Sequence, residues 1–199
     1  MLNELGNVVV IGLESSTERW DRCVEIFEKY KISPVTHYTT SADFNDLHRH
    51  YMKDFLHMLR LKGREKDALV FFEDDFELTE GWEEVLTKAW KDLPQGWDML
   101  YLGCNLTEDV KHVTQNLKRV MGAWLMHGTI LSRRFIEYIL KQYDYNQIWI
   151  IDEWYRQQAP MRNFYMTYPF ISYQRKGFSD FVGNYVDYQI FENKYYKRI

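Results

Sequence analysis

The chain has 199 residues, 46% apolar and 27% charged, with a high aromatic share of 17% from 15 Tyr, 12 Phe and 7 Trp. Such a chain can bury a sizeable core within one domain spanning 1–199, which excludes a disordered or fibrous protein. A formal charge of −4 and a pI near 5.9 argue against a protein that holds nucleic acid mainly by neutralising phosphates.

The N-terminal stretch MLNELGNVVVIGL has no basic region. No apolar run approaches the ~20 residues of a membrane span, so the expectation is a chain neither secreted nor embedded by its own signals. NVVVIGL (7 to 13) predicts a strand, and Ser15, Ser16 and Thr17 are candidate caps for a helix over 18 to 30. That helix places Trp20, Cys23, Val24, Phe27 and Tyr30 on one stripe, with Arg22 on its solvated face. PVTHYTT (34 to 40) predicts a second strand. A long helix follows, with Leu47, Tyr51, Phe55, Met58 and Leu59 inward and Gly63 closing it.

ALVFFE is apolar without polar alternation, as in a central strand covered on both faces. Thr79 is the expected cap of a helix with Trp82, Val85, Leu86, Ala89 and Trp90 inward, and WDMLYLG (97 to 103) is the fourth strand. Residues 105 to 118, with the sequon Asn105-Leu106-Thr107, read as a polar loop. Then come a strand over 120 to 131, a helix over 132 to 143 capped by Ser132, a helix opening at Asp152, and strand composition over 163 to 183 broken by Pro169 and Gly177. Cys23 and Cys104 fall on an apolar helix face and at a strand end, which suits free thiols in a reducing cytoplasm.

Strand and helix alternate through four strands. The expected fold is therefore α/β, with a mostly parallel central sheet, right-handed crossovers and helices on both faces. Ligands of such sheets settle at the carboxyl edge of the strands. The segments arriving there are 12 to 17, 39 to 43, 73 to 75 and 103 to 105.

Within VFFEDDFELTEGW (70 to 82), Glu73, Asp74 and Asp75 stand in a row behind the apolar run. Like charges so close repel unless something positive sits among them. Alternation along a strand puts Glu73 and Asp75 on one side and Asp74 on the other, which suits a hard divalent cation, Mg²⁺ or Mn²⁺, completed by water and phosphate oxygens. The competing reading is that the acids solvate a turn and favour the N-terminus of the next helix.

The stretches VVVIGLESSTERWDR, ALVFFEDDFELTEGWEEVL, WDMLYLG, GAWLMHGTILSRRFIEYIL, IDEW and YPFISYQRKGFSD occur in the order seen in glycosyltransferase family 25, which the chain resembles over about 7 to 181. The resemblance implies a single GT-A-like Rossmann-type domain that moves a hexose from a nucleotide-sugar, commonly a UDP-sugar, with a divalent cation. It further implies Asp75 as cation ligand, with Glu73 or Asp74 on the donor ribose or the metal's waters. The loop Gly12, Leu13, Glu14 through Arg19 would lie near the base. An inverting transfer needs a base for the acceptor hydroxyl; Asp152 is the first candidate, Glu153 the second, and Asp180 a further candidate for base or donor contact. Arg175 and Lys176, before Gly177, could fold over the diphosphate as a lid.

Other constellations read as structure. His50, Asp54 and His57 border the apolar stripe of their helix and suit a half-exposed flank better than a transition-metal site. His127, in an apolar run, reads as a core histidine. Trp124, Trp149, Trp154 and Tyr173 lie where an acceptor sugar could stack. A metal-dependent phosphoesterase or nuclease would want a second acidic cluster, and none is evident; a catalytically silent nucleotide-sugar module is the other alternative. The resemblance implies a saccharide or protein hydroxyl as acceptor, with modified nucleic acid the less favoured choice for so acidic a chain. Compactness and Tyr-rich composition suit an enzyme of a bacterial cytoplasm, or of a host's cytoplasm if viral.

Overall fold

Short runs of β-branched and apolar residues form the strands, and segments with apolar residues every three to four positions form the helices between them. A computed structural model describes residues 1–39, 47–144, 150–179 and 183–187, with the backbone alone at 36–39, 47–48 and 125–126. The elements are α1 (Leu2–Leu5), β1 (Asn7–Leu13), α2 (Thr17–Tyr30), β2 (Pro34–Thr39), α3 (Leu47–Lys62), β3 (Ala68–Glu73), β4 (Phe76–Leu78), α4 (Trp82–Asp92) and β5 (Met99–Leu106). They continue with β6 (Lys111–His112), β7 (Leu117–Arg119), β8 (Ala123–Ser132), α5 (Arg133–Gln142), α6 (Ile151–Gln158), β9 (Phe164–Thr167), β10 (Ser172–Gln174), β11 (Gly177–Ser179) and β12 (Asn184–Val186).

The fold is α/β. One sheet has the order β2-β1-β3-β8-β5-β9-β7-β6, and two small ribbons pair β10 with β4 and β11 with β12. The strands β2, β1, β3, β5 and β9 point the same way, while β8 lies antiparallel between β3 and β5. Alternate residues of each strand feed two cores. Val9, Ile11, Leu69, Phe71, Met99 and Tyr101 pack under α3, α5 and α6. Val8, Val10, Val70, Phe72, Leu100 and Leu102 pack under α1, α2 and α4. This double cover explains why the strands are apolar without alternation.

Some local expectations change. Val24 is 50% exposed and Ile26 is buried in its place, because Val24 lies roughly 100° round the helix from Cys23, off the stripe. Thr79 does not cap α4; its N–H donates to the Ile171 carbonyl at 2.9 Å, and Gly81 is the N-cap with φ 73°, a backbone that glycine adopts without strain. Ser132 caps α5, its hydroxyl accepting from the Phe135 N–H. Residues 105 to 118 are not wholly loop: β5 runs through Asn105 and Leu106, paired with Trp124 and Ala123 of β8, and β6 and β7 form a small hairpin. Cys23 and Cys104 are free and buried. Among the described residues no helix is long and apolar enough to cross a membrane.

Candidate functional site

At the end of β3 the chain turns through Asp74 and Asp75 into β4. β4 is too short to hold itself, and β10 fixes it: Gln174 pairs with Phe76, Tyr173 with Glu77 and Ser172 with Leu78. The Arg175 N–H donates to the Asp75 carbonyl at 2.8 Å, and the Gln174 amide donates to Asp75 Oδ2 at 2.8 Å. An acidic turn is thus clamped to a basic strand end.

The three carboxylates diverge. Glu73 points toward α3, where the Tyr51 hydroxyl donates to its Oε1 at 2.8 Å. Asp74 is 4% exposed and packs on Gly12, where a Cβ would fall 2.3 Å from its Oδ2. Only glycine in β1 lets that acid sit there. Asp75 is half-buried, and its Oδ1 is sealed from solvent without a hydrogen-bond partner among the described residues.

Arginines supply the positive charge that the row of acids demands. Arg19 Nη1 lies 3.2 Å from Asp74 Oδ1, and its Nη2 donates to the Phe178 carbonyl of β11. Arg175 Nη2 donates to the Asp74 carbonyl at 3.0 Å. Arg22, expected on a solvated face, instead grips Glu77 with two hydrogen bonds, Nε to Oε1 at 2.7 Å and Nη2 to Oε2 at 2.9 Å; that carboxylate raises the Arg22 pKa. The Arg22 side chain stays 43% exposed, as a solvated face implies, but β4 buries Glu77 beside α2, and a buried carboxylate needs a cation.

Charge compensation is incomplete at Glu73. Burial, then the charges of Asp75 and Asp152, push its pKa well above the usual carboxylate range. Burial also raises Asp75, opposed by the Gln174 hydrogen bond and by Arg19 and Arg175. The Glu73 and Asp75 carboxyls therefore compete for charge. Among the described residues no three His, Cys, Asp or Glu side chains form a closed metal cage. The bare Asp75 Oδ1 beside Glu73 nevertheless fits a hard cation that takes one or two protein oxygens and fills its other positions with water or phosphate.

Two clefts meet at Asp75. The larger, about 290 Å³, has Arg19, Arg175, Lys176 and Ser179 in its wall; the smaller, about 50 Å³, lies against Gly12, Leu13, Tyr51 and Glu73. Asp75, Arg19, Gln174 and Ser179 border both. The expected residues Gly12, Leu13, Arg19, Glu73, Asp74, Asp75, Arg175 and Lys176 are thus brought together. Glu14 is exposed and lines neither cleft.

Arg175 is not a free lid residue, since its guanidinium is bound beneath the acidic turn; Lys176 beside it is exposed. The charge of Asp152, in the first turn of α6, reaches Glu73 and Tyr51. Glu153 is committed elsewhere: hydrogen bonds from Arg156, then from Gln157, hold its pKa down at about 2. Trp124 is 47% exposed and donates to the same Glu153 carboxylate at 3.3 Å, whereas Trp154 is core. Asp180, Trp149, residues 40 to 43 and the Leu47 side chain lie outside the described residues. His127 is a core histidine, its Nε2 3.4 Å from the Ser172 carbonyl, with burial lowering its pKa to about 4.

Sequence reasoning missed Gln174, Glu77 and the hydroxyl role of Tyr51. The signal for Glu77 was its place between Phe76 and Leu78, a lone acid in an apolar triplet.

No family model matches the chain, and no curated protein matches it. Among the solved structures it resembles is mouse xyloside xylosyltransferase 1 in its apo form, at 9% sequence identity and a TM-score of 0.35 over 79% of this chain. The chain spans 63% of that structure's length. A likeness of this degree decides nothing about activity, which has to be read from the site.

Proposed function

We propose that the chain is a family 25-like glycosyltransferase that moves a hexose from a UDP-sugar to an acceptor hydroxyl, with inversion, using Mn²⁺ or Mg²⁺. One observation carries the reading: Asp75, whose buried Oδ1 has no hydrogen-bond partner among the described residues, borders both clefts together with Arg19, and Lys176 lines the larger one. An anionic group and cationic ones in the lining of one cleft suit a cation and a diphosphate bound together.

Asp75, with Glu73 beside it, would hold the cation. When bound, that ion neutralises the negative charge that builds on the nucleoside diphosphate as the sugar leaves. Arg19 and Lys176 bind the diphosphate, with the Arg175 charge close by. The backbone at Gly12 and Leu13 allows close approach of the nucleoside. Asp152 takes the proton from the attacking hydroxyl. It is favoured over Glu153 because a carboxylate held near pKa 2 is a poor acceptor of protons. Buried free thiols at Cys23 and Cys104 suit a reducing cytoplasm.

The test is thermal unfolding with UDP-, GDP-, CMP- and ADP-sugars, with and without Mn²⁺, since a ligand bound only by the folded form raises its apparent stability. A UDP-sugar with Mn²⁺ is expected to raise Tm more than either alone, and Asp75→Asn to abolish that synergy and lower turnover on the order of a hundredfold. Retention of both by Asp75→Asn would refute the reading.

A further inference from the structure

Glu77 touches neither of the two clefts, yet it holds Arg175, one of the cations that line the larger. Its side chain is 9% exposed and serves two guanidiniums at once: Arg22, held by the two hydrogen bonds described above, and Arg175, whose Nε lies 3.6 Å from Glu77 Oε1. That last distance is an ionic contact longer than a hydrogen bond, and Arg175 Nε has no hydrogen-bond partner among the described residues. The other end of the same guanidinium donates to the Asp74 carbonyl. Arg175 is therefore stretched between Glu77 on the α2 side and the acidic turn on the cleft side.

We propose that Glu77 is a positioning residue that draws the Arg175 guanidinium away from Asp75 and so keeps Asp75 Oδ1 free for a cation. The cation itself rests on the functional reading above; the pull on Arg175 does not. With Glu77 neutral, Arg175 keeps its bond to the Asp74 carbonyl while its charge is still drawn to Asp75, which it already reaches, and a guanidinium placed on the Asp75 carboxylate occupies the oxygen a divalent ion would take. Arg22 tunes the same balance. By sharing the Glu77 carboxylate it limits how strongly Arg175 is drawn off.

Two measurements on the full chain test this. The first is the Arg175 Nε–H signal in an NMR spectrum of the arginine side chains, identified by its absence from Arg175→Lys. Glu77→Gln is expected to shift it, and Arg22→Gln, which leaves Glu77 to Arg175 alone, to shift it the opposite way. The second is the Mn²⁺ concentration giving half-maximal UDP binding. Glu77→Gln should raise it at least roughly tenfold, the lower end for one charge-assisted hydrogen bond. Glu77→Gln/Arg175→Gln should return it to the value of Arg175→Gln alone, because the displaced competitor is gone.

An unmoved Arg175 signal in both variants would overturn the inference. So would additive losses in the double variant, which are what simple damage to the β4–β10 ribbon produces. If the wild-type chain binds no UDP with Mn²⁺, the functional reading fails, and the Arg175 signal alone then decides whether Glu77 positions that side chain. Should Glu77→Gln fail to fold, Arg22→Gln decides: a downfield move of the Arg175 Nε–H signal, as a tighter bond to Glu77 requires, supports the inference, and an unmoved signal overturns it.

Discussion

Glu73 shows how little of a carboxylate's behaviour is written in its identity. Three acids in a row say that charge must be compensated, but not which acid keeps a proton. Geometry decides: Asp74 has Arg19, Asp75 has the Gln174 amide, and Glu73 has the Tyr51 hydroxyl with Asp75 and Asp152 as neighbouring charges. Because its pKa is raised on folding, the native state binds more protons than the unfolded chain, so this share of stability is full below the ordinary value of 4.5 and lost as pH rises through the raised one. Glu73→Gln, which can still accept from Tyr51, should be stabilised relative to wild type toward neutral pH and remove that part of the slope in urea unfolding. An identical slope in both proteins would contradict the assignment. His127 works with the opposite sign, its contribution present above 6.5 and lost as pH falls toward 4, so the comparison with the variant, not the raw profile, isolates Glu73. The row of acids was legible from residue type and place, while Arg19 and Asp152 entered through the family resemblance; Gln174 was not legible, and Glu77 only as a lone acid in an apolar triplet, because their roles exist only once β10 lies beside β4.

The elements themselves were largely legible. Apolar runs marked β1, β3 and β5, and periodic stripes marked α2, α3 and α4, since burial on one face dictates spacing. Ser132 could be read as a cap because its hydroxyl stands just ahead of a periodic segment, and the structure has it accepting from the Phe135 N–H. Ser132→Ala should therefore cost about 1 kcal/mol in urea unfolding; a change near zero would mean that packing alone sets the start of α5. The direction and partners of β8 were invisible, because an apolar run says that both faces are covered and nothing about which neighbours it pairs with. Three-residue strands such as β4 and β10 carry too short a pattern to register at all. They nevertheless set the acidic turn.

At the level of the molecule, two cores share one sheet and divide the aromatic surplus between them, and the core under α5 and α6 gathers several of its rings around Phe135. Phe135 stacks or tilts against Tyr138, Trp154 and Tyr155 and meets Phe164 edge-on. Phe135→Ala should lower stability by about 3–5 kcal/mol, a large part of the ~5–15 kcal/mol typical of a domain. It should also loosen α6 and with it Asp152, reducing turnover more than donor binding. A loss below about 1 kcal/mol would show that the cluster packs loosely. The insertion of β8 between β3 and β5 also bears on biosynthesis. As the chain leaves the ribosome, β3 can join β1 early, but its far edge waits for a strand that is not complete until Ser132. Until then the nascent protein offers an apolar, unpaired edge to its surroundings, and that interval is where chaperone protection matters most.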